Sequence, residues 1–394
     1  MNMPFTVALA AYSEIMLKSR PVRRLFEDDL TRNVRLTLKR YGISPVAIRT
    51  EGGRLVVTGD NPLDVCSKLS NIFGVDFASP AVVASNALAD ILNAVEGVAH
   101  MALTHGDTFA VRTKRVGPQP YTSKDVEVEA GRLILEKLGS DRNLKVDLTK
   151  PRCTISVEIR GLQTYVYATK MHGPGGLPYG TQGKALNLLT CDGRSAVAAW
   201  LMMKRGVEVS AVHFTSDDKH RDACLAEVNR LAARMAKFVP SGQIALTMVT
   251  FGRVEEALQS IQNISQSDRK ILLKRCMLKS ASNLAALHGF EALVTGDWVK
   301  GPQSLAAKAL PFLSEAAQLP IFQPLMGFPQ ETTSGMALPL GLNSSELRFE
   351  EEAAVSDLTL SIEDAHTVED SWQLNALAEA ALDRASEVTI TASD

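Results

Sequence analysis

Thr190-Cys191-Asp192-Gly193-Arg194-Ser195 places two hydroxyls, a thiol, a carboxylate and a guanidinium in six consecutive residues. The segment lies between a short apolar run, Lys184 to Leu189, and a helix-forming stretch, Ser195 to Arg205, closed by Gly206. A buried parallel strand, a tight turn and a helix N-terminus bring free N–H groups and the positive end of the helix dipole to one point, where phosphate can be held. Thr190, Gly193 and Ser195 are the candidate phosphate contacts, and Arg194 adds positive charge. An ordinary βα turn has the same outline, and the geometry alone fits both. Cys191 has two readings as well, a nucleophile or a small buried residue of the turn.

The elements that position this turn follow from periodicity. Glu208 to Phe214, Ile244 to Thr250 and Ala292 to Thr295 read as strands, alternating with helices over Arg221 to Phe238 and Ile271 to His288. That is a doubly wound, parallel-sheet α/β domain whose ligand crevice lies at the carboxyl ends of its strands. The turn at Thr190, His213-Phe214 and Gly296 would share that edge. Beyond Ser345 the chain is acidic, and it predicts an irregular stretch, a helix from Trp372 to Ala385 and a loose tail. Before the turn, Gly173 to Gly183 has five glycines and two prolines, the composition of a structured connector.

The front of the chain is different. Pro4 to Ala11 is strand-like, and Glu14 to Arg40 is a basic helix with Leu25, Leu30, Val34 and Leu38 at helical spacing. A hairpin follows, Val46 to Arg49 and Arg54 to Thr58, then a helix from Asn61 to Asn71. This β-α-β-β-α order predicts a ferredoxin-like α+β unit. Helices over Ala87 to Ala102 and Val126 to Leu138 and strands over Thr108 to Thr113, Val146 to Leu148, Thr154 to Ile159 and Tyr165 to Lys170 form a second α+β group. Net charge is +5 over residues 1–171 and −7 over residues 172–394, so an anionic partner would dock at the front. Lys18, Arg23, Arg24, Arg112, Lys114, Arg115 and Arg152 suit a phosphodiester backbone, with Tyr121 available to stack on a base.

With 394 residues, 45% hydrophobic and 22% charged, the chain reads as two or three globular domains. No apolar run reaches membrane-spanning length and no secretory signal pattern is present, so a cytoplasmic location without membrane contact is expected. Cys66, Cys153, Cys191, Cys224 and Cys276 are scattered without a CxxC pair, which argues against a disulfide framework or a metal site. Cys66, Cys224 and Cys276 read as helix positions.

Several segments carry a resemblance. Tyr12 to Lys18 with Arg23 and Phe26-Glu27, Arg112 to Gly131, and above all Gly173 to Lys184 are similar to the tRNA 4-thiouridine synthetase (ThiI) family. Ala198 to Gly206, Val212 to Phe214, Lys274-Arg275 with Met277, and Leu293 to Gly296 are similar too, so the resemblance runs from about Tyr12 to Asp364. It implies a ferredoxin-like domain (1–76), a THUMP RNA-binding domain (77–171), a linker (172–183), a Rossmann-like PP-loop pyrophosphatase domain (184–345) and an acidic C-terminal segment (346–394). It also implies ATP with magnesium as cofactor, tRNA as partner, and uridine thiolation by adenylation followed by attack of a persulfide sulfur. Leu188, Leu189, His213, Phe214, Lys274 and Gly296 match family nucleotide positions, and join Thr190, Gly193 and Ser195 as candidates.

The departures are local. The family loop reads Ser-Gly-Gly-x-Asp-Ser, so both glycines and the aspartate are replaced, the last by Arg194. The family's sulfur-bearing cysteine has no counterpart: the nearest segment is Glu363-Asp364-Ala365-His366, and no cysteine follows Cys276. The family's Gly-Glu-Ser-x-Gly-Gln segment has become Gly296 to Pro302, its glutamine out of register. No catalytic residue is assigned. The expectation is a tRNA-binding protein with adenylation and thiolation impaired or lost, whose cleft takes AMP or phosphate. The alternatives are an active sulfurtransferase with an altered loop and an external sulfur donor, and a scaffold presenting tRNA to another modifying enzyme. A homodimer is compatible with either.

Overall fold

Val7–Ala11 is buried at every position, and it forms the inner strand β1 of the first sheet. The computed structural model describes residues 5–216, 221–298, 306–347 and 358–392. The chain divides into two units, residues 1–177 and 178–394.

In the first unit β1 is followed by α1 (Arg20–Arg40), β2 (Ala47–Glu51), β3 (Arg54–Thr58), α2 (Pro62–Leu69) and β4 (Phe77–Ser85). Leu30, Val34 and Leu38 of α1 are buried against Ala8, Ala10, Leu55 and Val57 of the sheet. Leu25 was expected on that face but is 64% exposed, because the buried stripe runs in steps of four back from Leu38 and misses position 25. The second group is α3 (Leu88–Ala102), β5 (Thr108–Arg115), α4 (Ser123–Ile134), a π turn, α5 (Ser140–Arg142), β6 (Lys145–Val146), β7 (Cys153–Arg160), β8 (Gln163–Tyr167) and β9 (Met171–His172). Thr122 caps α4 in a capping box with Asp125, which fixes where the helix begins.

One nine-stranded sheet holds both groups, in the order β2-β3-β1-β4-β8-β7-β5-β6, with β9 on β4. Strand β4 joins them: Phe77 to Ala81 pair with β1, and Val82 to Ser85 pair with β8. A shared apolar cluster of Val7, Leu9, Val56, Ala81, Tyr165 and Tyr167 lies between them. At its edge Glu158 is 2% exposed and accepts from Arg54 Nη2 at 2.8 Å, Arg160 Nε at 2.8 Å and the Tyr167 hydroxyl at 2.7 Å. Burial by itself pushes the Glu158 carboxyl up, but Arg54 foremost, with Tyr167 and Arg160, holds it at about 2.

The second unit has β10 (Lys184–Leu188), α6 (Gly193–Lys204), β11 (Glu208–Thr215), α7 (Arg221–Ala236), β12 (Gln243–Thr250), α8 (Gly252–Ser260), α9 (Gln266–His288) and β13 (Ala292–Val294). Then come α10 (Ala306–Ala316), β14 (Ile321–Phe322), α11 (Gln330–Ala337), α12 (Ile362–Ser371), α13 (Leu374–Leu382) and β15 (Ser386–Thr391). The sheet order is β14-β13-β10-β11-β12-β15, parallel except for β15, which runs antiparallel to β12. The chain therefore winds from β10 outward to β12, then returns to the other side of β10 as β13. The two windings part at β10, and α/β sheets form their crevice at that point.

The expected loose tail is instead β15, hydrogen-bonded along the edge of β12. Alternation over Glu387 to Thr391 was the signal missed. α9 begins at Gln266 rather than Ile271, because Ser265 and Asp268 form a capping box. Asp268 also accepts from Thr359 N at 3.0 Å and Thr359 Oγ1 at 2.8 Å, which ties the C-terminal segment down. The connector divides between the units. Gly173 N donates to Asp76 O at 2.9 Å in the first, and Thr181 N to Gly206 O at 2.9 Å in the second.

Candidate functional site

The carboxyl ends of β10, β11 and β13 frame a cleft of roughly 350 Å³ in the second unit. Leu188, Leu189, Thr190, Ser195, His213, Phe214, Lys274 and Gly296 all line it. Gly193 does not. It is the first residue of α6, where a Cβ would lie 2.9 Å from the Glu346 carbonyl oxygen, so the position is small for packing. Gly296 has a similar reason: a Cβ there would lie 2.6 Å from Ser195 N and 2.7 Å from Ser195 Cα. Backbone cannot give way as a flexible side chain would, so glycine lets β13 leave the sheet against the start of α6.

The helix starts at Gly193, two residues earlier than predicted, so Gly193 and Arg194 belong to the helix and the turn is shorter. Asp192 is the N-cap, accepting from Arg194 N at 3.0 Å. The same carboxylate takes Arg194 Nε at 2.6 Å and Nη2 at 2.5 Å. Arg194 is 6% exposed and lines the cleft beside Asp192, its guanidinium paired with that carboxylate. Thr190 N donates to Ser195 Oγ at 3.0 Å, and Ser195 Oγ to Asp192 O at 2.9 Å. The loop thus pairs with itself. Cys191 is half-buried rather than enclosed.

The opposite wall is α9 with the exit of β13. Lys274 Nζ forms an ion pair with Asp297 Oδ1, and Asp297 Oδ2 accepts from Thr295 Oγ1 at 2.7 Å and Gln323 Nε2 at 2.8 Å. Burial would raise the Asp297 carboxyl, but Lys274 and these donors keep it below its ordinary range. Lys270 lies one helical turn before Lys274 and also faces the cleft. The sequence pattern starts this helix at Ile271 and so leaves Lys270 out; the i, i+4 spacing from Lys274 points to it. Leu188, Val212, Phe214, Leu273 and Met277 make the apolar side. Val299, Lys300, Gly301 and Pro302 lie outside the described residues.

His213 is 5% exposed, and its Nδ1 lies 2.8 Å from Leu189 O. A carbonyl only accepts, so Nδ1 carries the proton and Nε2 bears the lone pair. Burial lowers its pKa, which keeps the ring neutral near pH 7. Glu363 to His366, by contrast, is the first turn of α12, capped by Ser361 with Asp364. His366 Nε2 lies 3.1 Å from Glu315 Oε1, an ion-pair position and not a counterpart of a sulfur carrier. The buried Arg275 is likewise structural, bonded to Glu369 at 2.6 Å and to the Phe312 carbonyl at 2.6 Å.

In the first unit Lys18, Arg23 and Arg24 stand at the start of α1. Arg23 and Arg24, with Arg20, Glu27, Gly52 and Gly53, line a hollow of about 530 Å³. Arg112, Lys114 and Arg115 are on β5, and Arg152 lies beside it. Arg112 and Lys114 are exposed on alternate positions of one strand face, and Arg112 Nη2 donates to the Leu148 carbonyl. Arg115 Nη1 reaches Gln119 Oε1 at 3.3 Å, and Arg152 Nη1 is 3.2 Å from Asp107. Tyr121, expected as a stacking residue, is partly buried. Its ring packs on the core of α3 and α4, and its hydroxyl donates to Asn86 O at 2.6 Å.

Three family profiles match the chain: one described as thiamine biosynthesis protein (ThiI) over residues 180–353, a THUMP domain over 85–169, and a ThiI ferredoxin-like domain over 7–79. A probable tRNA sulfurtransferase of Saccharolobus solfataricus is 31% identical over 92% of this chain and 93% of its own length. One from Thermoanaerobacter pseudethanolicus is 33% identical over 82% of each chain. Among solved structures, a 4-thiouridine synthetase in complex with RNA and ATP superposes with a TM-score of 0.79 at 22% identity, over 98% of this chain and all of that one. A Pyrococcus horikoshii protein superposes with a TM-score of 0.65 at 26% identity, over 86% of this chain and 100% of that one.

Proposed function

The chain belongs to the tRNA sulfurtransferase (ThiI) family, and from that premise we propose that it binds tRNA through its first unit while its cleft no longer adenylates. The observation that carries this reading is the Asp192–Arg194 pair inside the phosphate turn. A triphosphate with magnesium needs unspent N–H donors and a carboxylate to organise the metal. Here Arg194 N and Thr190 N donate within the turn, Asp192 is bound to Arg194, and Asp297 is bound to Lys274. The residues present do not fit ATP with magnesium. They suit a smaller ligand, such as AMP or phosphate: an apolar side for a flat base, and Lys270 for a small anion.

The tRNA partner is supported by the THUMP match and by the exposed cations of β5 and α1. Among the described residues no helix is long and apolar enough to cross a membrane. The test is calorimetric titration with ATP–magnesium and with AMP, followed by a pyrophosphate-release assay with tRNA. The expected result is tRNA binding, weak AMP binding and no pyrophosphate. Micromolar ATP affinity with tRNA-dependent pyrophosphate release would overturn the reading and favour an active sulfurtransferase with an external sulfur donor.

A further inference from the structure

We propose that Cys224 is a reactive thiol that accepts sulfane sulfur from a persulfide donor, with His213 taking its proton. All five cysteines are thiols, and their settings differ. Cys66 and Cys276 are buried in apolar clusters, and burial pushes each thiol up to about 12. Cys153 is half-buried in β7, and burial raises it too. Thiolate, the form that attacks sulfur, is scarce at all three.

Cys224 is half-buried in the first turn of α7, where the positive end of a 16-residue helix favours thiolate. Its Sγ is 3.9 Å from His213 Nε2. That nitrogen is the lone-pair nitrogen, because Nδ1 is committed to Leu189 O at 2.8 Å. A base oriented by a third group beside a thiol is the arrangement of an activated nucleophile, and such contacts are long before substrate arrives. His213 also lines the cleft, so one imidazole stands between the thiol and the cavity. The thiol therefore lies beside the cleft, although the chain has no cysteine after Cys276.

The step balances without oxidant or reductant. Cys224 Sγ bonds to the outer sulfur of R–S–SH, the donor S–S bond breaks, and R–S⁻ leaves. The proton taken by His213 Nε2 passes to the leaving sulfur. Cys224–SH and R–S–SH become Cys224–S–SH and R–SH. The sulfur chemistry rests on the family membership established above, not on nucleotide or tRNA binding.

The experiment treats the full chain with glutathione persulfide, without ATP or tRNA. Aliquots are alkylated with iodoacetamide, and each cysteine peptide is followed by mass spectrometry. Cys224 is expected to gain one sulfur at least about tenfold faster than Cys153 or Cys191, and His213→Gln is expected to slow it by about tenfold or more. A Cys224 rate no higher than that of Cys153 or Cys191 overturns the proposal, whatever the cleft binds. That ranking needs no variant, so it stands even where His213→Gln disturbs folding. An unchanged rate in a folded His213→Gln protein removes the proton-accepting role and overturns the pair.

Discussion

Arg112 and Arg194 are the same group in opposite settings. Arg112 is exposed on β5, and its guanidinium donates to the carbonyl of Leu148, which leaves the positive charge intact. Arg194 is buried at the start of α6 and holds the Asp192 carboxylate with two nitrogens. The first is a cation a polyanion can meet. The second is paired with a carboxylate inside the turn at the start of α6. Counting charges would score them alike; the pairing separates them.

The largest effect is expected where the first unit has a neutralised pair of its own. Glu158→Gln leaves Arg54 and Arg160 without their shared carboxylate and should cost about 3 kcal/mol. The pH dependence has a definite sign. The Glu158 carboxyl titrates at about 2 in the fold, against an ordinary value of 4.5. Its contribution is therefore complete above pH 4.5 and is lost as pH falls from there toward 2. Thermal melts across this range should show the loss in the parent chain and a flatter profile in Glu158→Gln; parallel profiles would mean that the cluster is not coupled to folding.

Arg112→Glu with Arg115→Glu probes the exposed side of the comparison. Binding to tRNA at about 50 mM salt should weaken by roughly 10- to 100-fold, with a shallower dependence on salt. The melting temperature should change little, because Arg112 is exposed and Arg115, although half-buried, makes only long contacts of 3.3–3.4 Å to Gly117 and Gln119. Unchanged affinity in filter binding would move the RNA footprint elsewhere.

Asp192→Asn breaks the pair in the turn. It removes the Asp192 carboxylate from Arg194 and should cost about 1–2 kcal/mol, while affinity for phosphate or AMP rises. If calorimetry shows no gain in anion affinity, the Arg194 charge was not being masked by Asp192. The smallest expected change comes from restoring the family loop with Cys191→Gly, Asp192→Gly and Arg194→Asp. ATP–magnesium affinity should rise by roughly tenfold, about 1.4 kcal/mol. No rise would place the limiting defect at the Asp297 wall.

Much of this was legible in the residues. The β-α-β-β-α order of the first group and the parallel strands of the second follow from periodicity, since buried strands and amphipathic helices leave separate patterns. Eight of the nine cleft candidates line one cavity, because strand ends in a doubly wound sheet converge on the point where the winding reverses. The partners of Tyr121 and Gly193 were not legible. A residue type states what a side chain can do, but that the Tyr121 hydroxyl donates to Asn86 and that Gly193 lies against the Glu346 carbonyl depend on packing.

By itself the sequence determined the family, the two classes of α/β architecture, the basic front half, and the absence of glycine at positions 191 and 192. These depend on local pattern and identity, which need no coordinates. Only the tertiary structure decided that Asp192 and Arg194 neutralise each other, that Lys274 holds Asp297, that β15 closes the sheet edge, and that Cys224 stands 3.9 Å from His213. Partners more than a helical turn apart in the chain are chosen by packing, and even the near pair in the turn depends on where α6 begins. Charge, hydrogen bonding and thiol reactivity are set by what the fold brings within a few ångströms.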